Sequence, residues 1–353
     1  MNTPTSVAVV RDFRSRGAER LFARTVRFEY ARPTNTVGPP GGVPGRLATG
    51  PRRLSPARGA EPVLVDAGIP TAPEQETPAD ERLESTLARA GYDLADVEHL
   101  VLTHPHVDHI GQVQTVLDAG DPTVYAPGSV RERFAQDATE LGDRVRENAA
   151  AAGITGDALD DEVESAVESL ERNRRLLAPE AVDEWLTPGE ASFGPVSGTA
   201  IHTPGHQADH LAYLLEHDDQ TLLFSGDTVM EPFRAVVIHD GMDDGYTEAF
   251  EAAFTALDRL EPHDPDRVFS GHGKPHEQFG EILDRDRRRL HKRLDAIEDL
   301  VDDGFETMPE VAAELARGRK PRYMYAETMS GLAHLEQTDR VETELVDGVR
   351  RYA

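Results

Sequence analysis

Seven consecutive residues, Thr103-His104-Pro105-His106-Val107-Asp108-His109, carry three imidazoles and a carboxylate. Imidazole nitrogens and carboxylate oxygens are good donors for a divalent ion such as zinc, and the chain has no cysteine to compete with them. Without an ion to bind, four such groups so close together would be a costly concentration of polarity. Three further segments repeat a simpler pattern: Thr203-Pro204-Gly205-His206, Phe224-Ser225-Gly226-Asp227 and Ser270-Gly271-His272-Gly273. In each, a short apolar run gives way to small residues that present one His or Asp, as loops at one end of a rigid sheet do when they build a site. The chemistry this set suits is metal-assisted hydrolysis, in which bound ions acidify water and polarise the bond to be cut. A serine mechanism is not indicated, because no Gly-x-Ser-x-Gly elbow is present. The missing cysteine also excludes disulfides, thiolate zinc sites and cysteine nucleophiles.

Short strands must carry these turns. Val63-Leu64-Val65 reads as a buried strand ending at Asp66, with Gly68 as a turn residue. Thr77 and Pro78 then open a helix, with Asp80 in the reciprocal cap position, that runs to about Gly91. A strand at about His99–Thr103 delivers the His-rich turn. Residues 129–181 read as two acidic amphipathic helices, with Val130, Phe134, Leu141 and Val145 at helical spacing. Strands follow at about 198–203, 210–215 and 221–226, then a helix at about 245–260 and a short strand at Val268-Phe269. This pattern predicts an α+β chain with a sheet-on-sheet core and helices outside, not a doubly wound parallel sheet.

Beyond Pro275 the ligand-bearing turns stop. Helices are expected at about 277–302, 309–317 and 325–337, followed by an extended piece, Val341–Val346, and Gly348. Three helices closed by a short hairpin resemble a winged-helix module. Arg317, Arg319, Lys320 and Arg322 form its basic cluster. The domain reading is therefore an atypical segment 1–60, a catalytic domain 61–276 with a helical insertion at 129–181, and a C-terminal module 277–353.

The chain of 353 residues has a formal charge of −28 and only three lysines, Lys274, Lys292 and Lys320. Such an excess of carboxylates suits a protein whose self-repulsion is screened by high salt, and it opposes nonspecific nucleic-acid binding. Residues 1–60 depart from this: eleven arginines face only Asp12, Glu19 and Glu29, a net +8 that leaves −36 for the rest. Within them, residues 38–60 hold no acid and read either as a flexible Pro/Gly loop or as a stretch translated in a shifted frame. No apolar run reaches the roughly 20 residues of a membrane helix, and no secretory leader is evident, so the expected location is the cytoplasm.

Together the motifs resemble the metallo-β-lactamase superfamily over roughly residues 61–276. The resemblance implies a four-layer αββα sandwich in which His104, His106 and His206 hold one metal. Asp108, His109 and His272 would hold a second, and Asp227 would bridge the two. Asp66 matches a carboxylate that orients a ligand histidine or the bridging water. The implied ions are two zinc, with manganese or iron as alternatives. His106 stands where the oxygen-reducing diiron branch has Glu, which disfavours redox iron chemistry. The Thr-Pro-Gly-His turn followed by Asp209-His210, with the C-terminal module, resembles the glyoxalase II-like branch. On that reading His210 is a structural or pocket residue, and His239 is a pocket residue in the loop after Asp227. Family members usually begin with a β-hairpin, which here would turn near Thr34-Asn35-Thr36.

The implied reaction is attack by a metal-bridging hydroxide on an acyl thioester of the hydroxyacylglutathione type, with Asp108 or a water handling the proton and Asp227 holding both ions. The insertion 129–181 would be a lid or pocket wall, or else a surface addition. A phosphodiesterase or ribonuclease activity is the alternative, and an inactive scaffold a third. The expected partner is a small acyl substrate, with no membrane and no nucleic acid; the oligomeric state is open.

Overall fold

Leu64 and its neighbours Val63 and Val65 point to opposite faces of a strand, and all three are buried. A strand covered on both faces belongs inside a layered structure, which is where a computed structural model places it. The structure describes residues 7–9, 61–70, 79–217 and 220–353. Its first sheet has the order β1 (Val7–Val9), β2 (Val63–Val65), β3 (His99–Val101), β4 (Thr123–Pro127), β5 (Glu184–Leu186) and is parallel throughout. Parallel neighbours need crossovers. These are α1 (Ala79–Ala90) between β2 and β3, α2 (Val107–Ile110) and α3 (Val113–Ala119) between β3 and β4, and a helical insertion between β4 and β5.

The second sheet is an antiparallel meander, β6 (Gly189–Phe193), β7 (Val196–His202), β8 (Leu211–His217) and β9 (Gln220–Gly226). β10 (Arg267–Ser270) joins β9 in parallel after crossing through α7 (Ala249–Leu260). Because β8 runs against β7 and β9, the C-terminal ends of β7, β9 and β10 all lie at one edge.

Between the sheets Val63, Val65 and Val101 meet Phe193, Leu211 and Phe224 in one cluster. Phe193 packs edge-on against both Tyr125 and Tyr213 at 5.2 and 5.3 Å. On the outer faces Leu64 and Leu100, and from the second sheet Ile201 and Leu223, belong to a larger cluster with the helices. Two sheets with helices on both outer faces give the expected αββα layering.

The insertion differs from expectation: it holds three helices, not two. α4 (Ser129–Ala135) stops at Gln136, and Asp137 starts α5 (Ala138–Ala151) by accepting from the backbone N–H groups of Thr139 and Glu140. The last is α6 (Asp157–Leu176). That Asp cap is what divides the stretch carrying Val130 and Phe134 from the stretch carrying Leu141 and Val145.

The C-terminal part is α8 (Phe279–Asp302), α9 (Met308–Ala316), α10 (Tyr325–Gln337) and a hairpin of β11 (Thr343–Val346) with β12 (Val349–Tyr352). The buried face of α8 runs Phe279, Ile282, Leu283, Leu290, Leu294, Ile297 and Val301, at helical spacing, and joins the large cluster of the sheets and their helices. The sheet also reaches further back than residue 61, since β1 pairs with β2. Thr77-Pro78, the Thr34-Asn35-Thr36 turn and residues 38–60 lie outside the described residues.

Candidate metal centre

The ligand-bearing turns converge where β2, β3, β7, β9 and β10 end. Asp66 follows β2 at φ 59° and accepts three hydrogen bonds that organise the His-rich turn. The Thr103 backbone N–H donates to Asp66 Oδ1 (2.8 Å), the Thr103 hydroxyl to Oδ2 (2.9 Å), and His109 Nδ1 to Oδ2 (2.8 Å). With its proton used on Asp66, the Thr103 oxygen can only accept from His104 Nδ1 at 2.9 Å. The Nε2 atoms of His104 and His109 are thereby turned toward the centre. His206 is set the same way, its Nδ1–H donating to the Val236 carbonyl at 3.0 Å.

Nε2 of His104 and Nε2 of His206 each lie 3.0 Å from Nδ1 of His106. Zinc–nitrogen bonds of 2.0–2.1 Å at a tetrahedral angle would put ligand nitrogens about 3.3 Å apart, so a small relaxation admits an ion among these three. Asp227 Oδ2 sits 3.2 Å from His206 Nε2 and 3.2 Å from His272 Nε2, and Oδ1 lies 3.3 Å from His109 Nε2. His272 Nε2 is also 3.2 Å from Asp108 Oδ2. Three groups have donor atoms within 4.8 Å of one another: His104, His106 and His206; His104, His109 and Asp227; Asp108, His109 and His272. The middle group shares His104 with the first and His109 with the third, and its Asp227 lies 3.2 Å from His206 of one and His272 of the other, as two neighbouring ions with a common carboxylate would require.

The residues fit such ions on a further ground. His109 Nε2 and Asp227 Oδ1 are buried and face each other at 3.3 Å outside hydrogen-bond geometry, with no other partner. Polar atoms left this way cost about 1–3 kcal/mol each; coordination would satisfy both. Gly271 shows how tight the arrangement is, because a Cβ there would fall 2.2 Å from Asp227 Oδ1 and 2.6 Å from the His109 ring.

The titrations divide the set. Burial, followed by the charges of His109 and His106, holds His104 well below the usual imidazole range; burial and His206 push His106 down to about 3. Both keep their lone pairs. Burial opposes ionisation of Asp227 and Asp108, yet both stay below the usual carboxylate range, Asp227 through the charges of His109 and His272 and Asp108 through its hydrogen bond with His272. Burial likewise opposes protonation of His109 and His272, but Asp227 outweighs it, with Asp66 beside His109 and Asp108 beside His272. His109 lies well above its ordinary value and His272 is raised to about 9. An ion bound here would displace these two protons.

His210 and His239, both expected near the pocket, have different places. His210 Nε2 accepts from the Asp227 backbone N–H (2.9 Å), so its Nδ1–H donates to Thr203 Oγ1 (2.6 Å). Both nitrogens are used, and the ring is fully buried beneath Asp227. It fixes the Asp227 backbone; Gly226, at φ 47°, leaves room for it, since a Cβ would meet His210 Nε2 at 2.3 Å. His239 lines a cavity of about 290 Å³ that also touches Pro105 and His106.

The sequence reading passed over residues that hold this cavity in place. Arg133 of α4 pairs with Asp209 and Asp240, Arg144 of α5 bonds Asp243 at 2.6 and 2.9 Å, and Asn148 donates to the Met242 carbonyl. These tie the insertion to the turn after His206 and to the loop after Asp227. Partners 76 to 107 residues apart carry no local signal.

The centre and the layered sheets define a metal-binding hydrolase of the αββα class. Residues 57–272 match the metallo-beta-lactamase superfamily, over more than half of the chain. The chain belongs to that superfamily. It is similar to YqjP of Bacillus subtilis, named a probable metallo-hydrolase, with 22% identity over 85% of this chain and 91% of the relative. It is also similar to a hydroxyacylglutathione hydrolase of Bdellovibrio bacteriovorus, with 25% identity over 48% of this chain and 46% of that protein. A crystal structure of a metallo-beta-lactamase family protein from Thermus thermophilus shares the fold, with a TM-score of 0.66 and 23% identity over 82% of this chain and 88% of that one.

Proposed function

We propose that the chain is a dinuclear zinc hydrolase of acyl thioesters. The observation that carries this reading is the cavity beside His106. Its walls carry Phe134 of α4, Leu141 and Val145 of α5, Leu170 of α6, Ile238 and Met242, interspersed with polar groups such as Arg133, Glu162, Asn173, Asp240, Asp243 and Arg322. The apolar part of this chamber, which opens at a ligand histidine, suits an acyl chain, and it makes the insertion a pocket wall. The likeness to a hydroxyacylglutathione hydrolase over about half the chain supports the acyl reading.

His104, His106 and His206 would hold one ion and Asp108, His109 and His272 the other, with Asp227 between them. When bound, the ions supply Lewis acidity to water and to the acyl oxygen. The protein's own residues do the rest. The insertion helices hold the acyl group and exclude bulk water, while Arg133 locks α4 onto the loops that carry His206 and His239. Asp108 accepts a proton from the attacking water and returns it to sulfur. The water oxygen bonds to the acyl carbon, the carbon–sulfur bond breaks, and a carboxylic acid and a thiol leave. We read the C-terminal unit as a winged-helix-like module that completes the pocket, since Arg322 and Ala326 line the same cavity. The acidic, lysine-poor composition supports placement in a high-salt cytoplasm. Among the described residues no helix is long and apolar enough to cross a membrane.

The test is hydrolysis of an acyl thioester beside a single-stranded RNA, with zinc supplied in molar salt, for wild type and Asp227→Ala. Thioester cleavage that the substitution abolishes is the expected result. Cleavage of RNA alone would overturn the acyl reading in favour of a nuclease.

A further inference from the structure

Of the basic cluster Arg317, Arg319, Lys320 and Arg322, only Arg322 lines the proposed acyl chamber, and the fold gives two of the others new company. Arg317 and Arg319, just past α9, line a cleft of about 710 Å³ together with Arg289, Lys292 and Arg293 of α8 and Arg234 of the loop after Asp227. Positions 289, 292 and 293 fall on one helical face. Against these six cations stands a single lining carboxylate, Glu327, and it is committed: buried, it pairs with Arg234 and lies 3.5 Å from Arg293. Arg289 donates to the Pro232 carbonyl at 3.2 Å. Lys292, Arg317 and Arg319 are exposed and have no acidic partner within 4.0 Å among the described residues. Like charges gathered this way repel one another unless an anion comes between them, and they do so in a chain of net charge −28.

The cleft adjoins the metal centre. Val236 and Arg234 line it, and both also line a small cavity that reaches His206. The Val236 carbonyl is the group that holds His206 Nδ1. The single turn Pro321–Met324 divides it from the chamber beside His106, Arg322 facing the chamber and Tyr323 and Met324 facing the cleft. The centre thus has the insertion-walled chamber on its His106 side and a cationic cleft on its His206 side.

We propose that this cleft binds the leaving thiol of the substrate, and that the thiol is a carrier bearing several phosphates, such as a phosphorylated nucleotide with a thiol arm. The inference rests on the acyl-thioester reading for its substrate, but the binding site stands on its own geometry. Arginine forks bind phosphate oxygens in pairs, and a multiply charged carrier matches the number of cations, where a thiol of one net charge would leave most uncompensated. Tyr323, 66% exposed at the rim, offers a ring on which a nucleobase can stack. A nucleic-acid strand fits less well, because outside the cleft it would run over a strongly acidic surface.

The test uses the metal-loaded full chain at the lowest salt at which it stays folded. Binding of coenzyme A, of its 3′-dephospho form, of glutathione and of a short single-stranded RNA is measured by calorimetry for wild type and for Lys292→Glu/Arg319→Glu, two exposed positions. Coenzyme A is expected to bind most tightly, to weaken without its 3′-phosphate, and to lose at least about tenfold in affinity in the variant. In parallel, the preference for an acyl-coenzyme A over the same acyl group on neutral N-acetylcysteamine, as a ratio of kcat/KM, should fall by a similar factor. Coenzyme A that fails to bind wild type, or binds the variant equally well, overturns the proposal, as does RNA binding more tightly than coenzyme A. If neither thioester is cleaved but the variant still loses coenzyme A, the acyl-hydrolase reading fails and the phosphate site stands.

Discussion

Asp66→Asn is the substitution that most sharply tests how the centre is built. Asp66 Oδ1 accepts the Thr103 backbone N–H at 2.8 Å, while Oδ2 accepts from His109 Nδ1 at 2.8 Å. Asparagine has the same shape and tolerates the positive φ of this position, so folding should survive. Its carbonyl must take the place of Oδ1, since the opposite orientation would set an amide N–H against a buried backbone N–H at about 1–3 kcal/mol. The amide nitrogen then faces His109 Nδ1 and can only donate to it. Neutral His109, the form that would bind an ion, then carries its proton on Nε2, pointing at Asp227 Oδ1, 3.3 Å away. The Nε2 lone pair that His109 would contribute beside Asp108 and His272 to the second ion is lost, while His104, His106 and His206 keep theirs. Loss of an orienting partner lowers metal affinity by about 10–100-fold, which is roughly 1.4–2.7 kcal/mol. Metal titration against a competing chelator, with the bound metal counted by mass spectrometry, should show two sites in wild type and one of normal affinity in Asp66→Asn. Two sites of wild-type affinity in the variant would refute the tautomer argument.

Arg133→Met should destabilise the fold by about 3–5 kcal/mol at neutral pH in denaturant unfolding, because Asp209 and Asp240 lose the partner they share. Burial works against ionisation of Asp209, and the Arg133 charge outweighs it, holding the folded-state value below the ordinary one. The pair therefore stabilises above about pH 3.9 and its contribution is lost as pH falls through the folded value. In the variant burial prevails, acid favours the fold, and the gap between the two proteins should close toward pH 4. Metal uptake should release protons and tighten as pH rises toward about 9, because His272 is raised to about 9 and must lose its proton to bind; calorimetry in buffers of different ionisation enthalpy measures the number released. Gly271→Ala should cost about 1–3 kcal/mol and weaken metal binding, since its Cβ would fall 2.2 Å from Asp227 Oδ1; equal metal affinity would count against the packing. Raising KCl from 0.1 M to above 1 M shortens the Debye length from about 10 to about 3 Å, so Tm should rise steeply for a chain of charge −28, and a flat Tm would contradict adaptation to salt.

The donors of the centre were legible in the linear sequence because metal chemistry restricts them to few residue types and because strand-turn-ligand segments are local. His104 to His109, His206, Asp227 and His272 each announce themselves within a handful of residues, and so do the short apolar runs that became β2, β3, β7, β8, β9 and β10. The short strands β4, β5 and β6 were missed: Glu184–Leu186 and Gly189–Phe193 gain their strand character from neighbours in the sheet, whereas Thr123–Pro127 carried a local signal that was overlooked, strand formers Thr123, Val124 and Tyr125 between Asp121-Pro122 and Pro127-Gly128. The division of the insertion into three helices turned on the single cap at Asp137.

Other features depended on separations no local pattern can encode. Which nitrogen of His104, His109 and His206 faces the centre is decided by Thr103, Asp66 and the Val236 carbonyl, the last of them 30 residues from His206. The same holds for His210, whose two nitrogens are taken up by Thr203 and the Asp227 backbone. The cationic cleft is the clearest case, since Arg234, Lys292 and Arg319 lie on three separate elements. Sequence alone determined the kinds of atoms the site has to offer, because those are properties of side chains. Their directions, protons and shared cavities came only with the tertiary structure, because hydrogen bonds and electric fields act through space and not along the chain.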